Sequence, residues 1–135
     1  MKTETFPGNY QSLSKISKFV VEAALKAGLD EQEIYQVELA VDEACCNIID
    51  HAYGGENRGE MQCSVEVGEN ELTVTLKDRG RPFDPRLVPV PVFHVPIQKV
   101  KRRGAGFFLM HKVMDEIRFE ASSKDGNVLV MVKRG

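Results

Sequence analysis

No apolar run in the sequence approaches the roughly 20 residues that a membrane-spanning helix needs. Residues Met1–Tyr10 lack the apolar core of a secretory signal. There is no internal repeat and no low-complexity tract. Cysteine is scarce: Cys45, Cys46 and Cys63 are odd in number, two are adjacent, and no Cys-x-x-Cys pair occurs. That argues against a disulfide framework and makes a reducing, cytoplasmic setting the expectation. Three scattered histidines (His51, His94 and His111) do not complete a zinc site at ligand spacing. Net charge is also nearly lacking, 18 Lys and Arg against 20 Asp and Glu giving −2. With 135 residues, 42% apolar and 28% charged, the chain is expected to form one globular domain over 1–135, neither disordered nor fibrous.

The small net charge hides two opposed blocks. Leu29–Glu60 holds nine acids and one base, Arg58, whereas Arg79–Lys112 holds eight bases and one acid, Asp84. Such a split points to a bound anion, a metal or charge-matched partner surfaces, unless both blocks are simply solvated faces. The basic run at residues 99–103 raises nucleic-acid binding. An isoelectric point near 5.9 and the lack of interleaved aromatics argue against it.

Apolar periodicity predicts the elements. An edge strand is expected over 2–7, then a helix from Tyr10 to Ala27 with Leu13, Ile16, Phe19, Val20 and Ala23 at helical spacing and Gly28 as its C-terminal cap. Asp30 and Glu33 form a capping box for a second helix, whose seam runs Ile34, Val37, Val41, Ala44 or Cys45, Ile48 and Ala52 and which ends at Gly54-Gly55. Met61–Val67 and Leu72–Leu76 read as a hairpin. A long irregular stretch from Gly80 to about Arg103 holds five of the six prolines, and a loop of that length in a compact domain is usually functional. A third helix is expected from Gly104 to about Glu116. A last hairpin joins Arg118–Ser122 to Val128–Lys133 through Asp125-Gly126-Asn127. These elements predict an α+β, two-layer sandwich, with three main helices on one face of a mixed, mostly antiparallel sheet.

Three short constellations carry candidate chemistry. Glu43 and Asn47 stand one helical turn apart, beside the apolar seam, which places a carboxylate and an amide at the edge of the core. Asp78-Arg79-Gly80 follows a strand directly: a carboxylate there can accept from an amino group such as adenine N6 and would reject the carbonyl of guanine, while Gly80 lets backbone approach a flat ring. Arg103-Gly104-Ala105-Gly106-Phe107 opens a helix, where exposed N–H groups and the positive dipole end suit phosphate. Lys99, Lys101, Arg102 and Arg103 add charge beside it. Taken alone, the first reads better as a polar helix border and the second as a strand-to-turn junction, and the third is a weak motif.

In this order the three resemble a family. Glu43-Ala44-Cys45-Cys46-Asn47 with Asp50-His51-Ala52-Tyr53-Gly54 resembles the N box of the Bergerat-fold (GHKL) ATPases. Asp78-Arg79-Gly80-Arg81-Pro82-Phe83-Asp84-Pro85 resembles their first glycine box, and Gly104–Met110 followed by Val113-Met114-Asp115-Glu116 resembles the second. Phe-Asp-Pro and Met-Asp-Glu are most similar to the bacterial anti-sigma-factor serine/threonine kinases, over about residues 10 to 133.

The resemblance implies a Bergerat fold, ATP and Mg2+ as cofactors, and phosphotransfer to a small anti-sigma-factor antagonist. It also implies capture of a sigma factor by a homodimer, without direct nucleic-acid or membrane contact. It makes Glu43 the general base and Asn47 the Mg2+ ligand within the ATP site. Asp78 becomes the reader of the adenine amino group and Gly80 its neighbour. Gly104 and Gly106 become phosphate-binding backbone, with Arg102 or Arg103 reaching the β- or γ-phosphate under an ATP lid over about 82–103.

Two departures stand out. The lid is unusually apolar at Val88, Val90, Val92, Phe93, Val95, Ile97 and Val100, as a partner surface or folded-down lid would be. Cys45 and Cys46 inside the N box read as compact core residues rather than a redox pair. The alternatives are a nucleotide-dependent binding switch of the same fold without phosphotransfer, and a detached histidine-kinase ATPase domain. The latter would place His51 poorly for a phosphoacceptor.

Overall fold

The chain begins with strand β1 (Lys2–Pro7), followed by helices α1 (Ser12–Lys26) and α2 (Glu31–Asn47). Strands β2 (Glu60–Gly68), β3 (Glu71–Asp78), β4 (Glu116–Ser122) and β5 (Gly126–Arg134) complete the sheet. This architecture comes from a computed structural model that describes residues 1–84, 109–122, 124 and 126–135. The sheet order is β1-β2-β3-β5-β4. All four pairings are antiparallel, so the sheet expected to be mixed contains no parallel pair among the described residues.

Strand parity assigns the two faces. Met61, Cys63 and Val65 on β2, Leu72, Val74 and Leu76 on β3, and Leu129 and Met131 on β5 are buried in one core with Ile16 and Val20 of α1 and Val37, Val41 and Ala44 of α2. Thr3, Gln62 and Lys77 take the opposite parity and are exposed. The helices therefore lie on one side of the sheet, as the apolar periodicity predicts.

The expected helix signals are present. Asp30 Oδ1 accepts from Glu33 N at 2.8 Å, and Glu33 Oε1 accepts from Asp30 N at 2.8 Å, closing the capping box of α2. Gly28 ends α1 with φ +85°, a conformation that glycine adopts without cost.

Three boundaries differ from expectation, each for a visible reason. The second helix does not run uniformly to Gly54; after Asn47 it widens into a π-helical turn, Ile48–Ala52, closed by Tyr53 N to Ile48 O at 3.0 Å. In the described part of the third helix, residues 109–113 are helical and the chain has left it before Glu116. Asp115 N instead donates to Val132 O at 2.9 Å, drawing the backbone into the sheet, and Lys133 Nζ donates to Val113 O at 2.7 Å as a side-chain cap on that helix. Finally, Gly126 and Asn127, expected in a turn, are the first residues of β5, paired with Ser122 and Ala121.

Candidate nucleotide site

Asp78 continues the inward row of β3. Leu72, Val74, Leu76 and Asp78 alternate with exposed or half-exposed neighbours, so a carboxylate stands where the core parity calls for an apolar residue. It is buried, and burial pushes its carboxyl above the ordinary value of 3.8. Hydrogen bonds from Asn127 and from the Gly80 N–H oppose that rise. Both reach the same oxygen, Asp78 Oδ1, at 2.9 Å. Asn127 lies directly across from Asp78 in the β3–β5 register, and its amide also donates to Arg81 O at 3.0 Å.

The segment after β3 is fixed donor by donor. Arg79 N donates to the Tyr53 hydroxyl at 3.0 Å, and that hydroxyl donates to Glu60 O at 2.6 Å. Arg81 N donates to Ala52 O at 2.9 Å, and Arg81 Nε to His51 O at 2.8 Å. His51 O and Ala52 O are available to Arg81 because they lie at the C-terminal end of the helix, where the last carbonyls have no intrahelical partner. A Cβ on Gly80 would stand 2.6 Å from the Ala52 backbone, so the glycine is required by contact with the π-helical turn itself. The N box and the first glycine box thus form one rigid corner.

α2 brings Glu43 and Asn47 to that corner. Both are buried, at 0% and 3% exposure, deeper than a polar helix border. Asn47 lines a small cavity together with Asp78, Asn127, Phe83, Met110 and Phe119. Its Oδ1 is buried and has no hydrogen-bond partner among the described residues. A buried carbonyl oxygen held this way fits a hard cation such as Mg2+. Glu43 lies one turn back along α2 and is not part of that cavity wall. Phe83 packs between His51 and Phe119, with ring centroids 6.0 and 5.7 Å away.

The structure therefore brings Asn47 and Asp78 to one cavity, sets Gly80 against Ala52, and buries Glu43 nearby. Arg102, Arg103, Gly104 and Gly106, the lid from Pro85 to Arg103 with its apolar residues, and His94 lie outside the described residues. Cys45 and Cys46 are buried thiols, as expected of core residues. Local sequence signals miss Asn127, because Asp125-Gly126-Asn127 has the composition of a turn. Its parity with Leu129 and Met131, counted back one step, is the signal that would have found it.

Within the acidic block, most charges do structural work. Glu38 accepts from Ser17 Oγ at 2.7 Å and Glu56 from Tyr10 N at 2.8 Å, and the Tyr10 hydroxyl donates to Asp50. Among the described residues, no helix is long and apolar enough to cross a membrane.

Comparison with known proteins finds relatives over most of the chain. The chain is 33% identical over 115 residues to the serine-protein kinase RsbW of Bacillus velezensis, covering 82% of this chain and 70% of that protein. It is 32% identical over 117 residues to the anti-sigma F factor of Clostridium novyi, covering 85% and 82%. Among solved structures, the RsbU and RsbW domains of a Mycobacterium tuberculosis protein superpose with a TM-score of 0.64 at 13% identity, covering 99% of this chain and 32% of that one. The catalytic domain of histidine kinase ThkA gives 0.55 at 15% identity, covering 99% and 96%, a likeness of fold. Residues 6–133 match the histidine kinase-like ATPase domain, and the chain belongs to that family.

Proposed function

We propose that the chain is an ATP-dependent serine/threonine protein kinase and an anti-sigma factor, as its similarity to proteins named serine-protein kinase and anti-sigma F factor supports. In this reading it transfers the γ-phosphoryl group of ATP to a serine of a small anti-sigma-factor antagonist and sequesters a sigma factor. It acts in the cytoplasm as a homodimer, and the single domain spans 1–135 with its ATP lid over about 82–103. The observation that carries the reading is the corner where Asp78 and Asn47, from separate motifs, line one cavity with Glu43 buried one turn away.

Each residue then has a task suited to its chemistry. The Asp78 carboxylate accepts from the exocyclic amino group of adenine, and the rigid Gly80 turn keeps it in place. Asn47 Oδ1 would hold Mg2+, which would offset charge on the phosphate oxygens. Glu43 takes the proton of the attacking serine hydroxyl as the new O–P bond forms and the bond from Pγ to the bridging oxygen of ADP breaks. Backbone N–H groups of Gly104 and Gly106 hold the phosphates, and Arg102 or Arg103 reaches the β- or γ-phosphate.

The test is transfer of label from γ-labelled ATP to the cognate antagonist. Glu43→Ala should abolish phosphoserine formation, a loss of at least about 100-fold for a general base, while ATP binding persists. Undiminished transfer by that variant would remove Glu43 from the role. Absence of any phosphoserine with the natural chain, despite ATP binding, would favour the binding switch.

A further inference from the structure

The hydroxyl of Tyr53 stands at the open end of the β2–β3 ladder. Met61 and Asp78 form the last pair there, so Glu60 and Arg79 occupy the place of the next one. These two are joined through the hydroxyl instead, which accepts from Arg79 N at 3.0 Å and donates to Glu60 O at 2.6 Å. The ring is seated against Gly59, where a Cβ would collide with it, and Gly8 N holds Gly59 O at 2.8 Å. The backbone of the same residue belongs to the N box: Tyr53 N donates to Ile48 O at 3.0 Å and closes the π-helical turn that follows Asn47. One side chain therefore links the residue after Asp78 to the turn after Asn47. The covalent route between those two runs through the whole of β2 and β3. Arg81 N and Nε also reach this turn, but they hold the segment beyond Gly80. At Arg79 the tie depends on a single oxygen atom.

From this arrangement we infer that Tyr53 is a positioning residue that sets the separation between the base-reading Asp78 and the cation-holding Asn47. The inference rests on the reading of the cavity as the ATP site. A nucleotide that engages both ends at once gains fully only where their separation matches the reach from its base to its phosphates. Base and metal then strengthen each other's binding, a coupling that needs a fixed strut and no further contact with the ligand. Both hydrogen bonds of the hydroxyl lie at the exposed surface, so water can satisfy Arg79 N and Glu60 O when it is removed. The loss then falls on position more than on stability.

The experiment measures dissociation constants of ADP in MgCl2 and in EDTA for the full chain and for Tyr53→Phe, which keeps the ring against Gly59. Tyr53→Met serves as a second variant without the hydroxyl, and a thermal melt confirms that each is folded. Asp30→Ala, which loses a helix cap far along α2 from the cavity, is the control for destabilisation alone. The natural chain should bind ADP about tenfold more tightly with Mg2+, the worth of one contact to a charged group. In Tyr53→Phe that gain should shrink to about threefold or less, while ADP in EDTA stays within about twofold. Tyr53→Met should show the same collapse of the ratio, and Asp30→Ala should keep the full gain. An unchanged gain in the Tyr53 variants would overturn the inference, however weakly they bind ADP, because a merely structural residue leaves the ratio alone. Loss of the gain in Asp30→Ala would overturn it as well, since the coupling would then follow stability. If the natural chain binds no ADP, or binds it with no gain from Mg2+, the reading of the site has failed and the inference falls with it. If the natural chain shows the gain and the Tyr53 variants keep it, only the inference fails.

Discussion

A carboxylate at a core position is an expense the fold would shed unless the group were used. Asp78 illustrates the cost through its own titration. Its unfolded carboxyl ionises near the ordinary 3.8, and burial raises the folded value despite two hydrogen bonds that favour the charged form. Between those two values the folded state binds more protons than the unfolded one, so stability falls as pH rises through the folded value and then levels off. Asn at this position keeps an oxygen for Gly80 N and Asn127 Nδ2 and does not titrate. Urea midpoints of the natural chain and Asp78→Asn should thus diverge in favour of the variant as pH rises through that interval. A pH-independent difference would show that the buried charge is not the cause. The variant should at the same time lose nucleotide affinity by about tenfold or more, because an amide N–H2 meets the base amino group where an oxygen stood. The cysteines show burial without use: it pushes Cys63 up to about 12, and Cys45 well above its ordinary value.

At the scale of the element, α2 is where fold and site share one piece of backbone. Its capping box starts the helix at Glu31, and three turns later the same rod delivers Glu43 and Asn47. Asp30→Ala removes the acceptor of Glu33 N and should cost about 1 kcal/mol, read as a lower melting temperature. Nucleotide affinity measured well below that temperature should stay within about twofold, since the cap lies far along the helix from the cavity. A large affinity loss would mean that α2 frays as far as Asn47.

This element also shows what the sequence discloses and what it withholds. Asp30, Glu33 and the apolar seam were legible because capping and period-3.6 patterns are local. The π-helical turn was not, because its cause is tertiary: Arg81 and Tyr53 stitch it to the end of β3, some 30 positions along the chain. The same division explains Gly126, which reads as a turn glycine. Its φ is +84° and a Cβ would lie 2.0 Å from Asp78 O, so what demands the glycine is a neighbouring strand.

Across the whole molecule, the layer architecture and the antiparallel hairpins followed from parity and turn residues, and the order of three motifs pointed to the family that residues 6–133 match. Distribution of labour within the corner was less legible, because it depends on which buried polar atoms remain unmatched. That distribution sets how ligand and fold are coupled. A ligand that binds only the folded state at 100 times its dissociation constant stabilises by about 2.7 kcal/mol. Unfolding entropy of about 2.1 cal/mol/K per residue over 135 residues turns this into a rise of about 10 °C in melting temperature. ATP with Mg2+ should produce that rise in the natural chain. Glu43→Ala should retain most of it, because Glu43 is not part of the cavity wall, whereas Asp78→Asn should lose about half of it or more at the same nucleotide concentration. Melting curves of the three proteins with and without nucleotide make the comparison. Equal loss in both variants would show that base reading and proton transfer are not divided between β3 and α2. Retention in Glu43→Ala together with its loss of phosphotransfer would separate binding from chemistry within one corner of the fold.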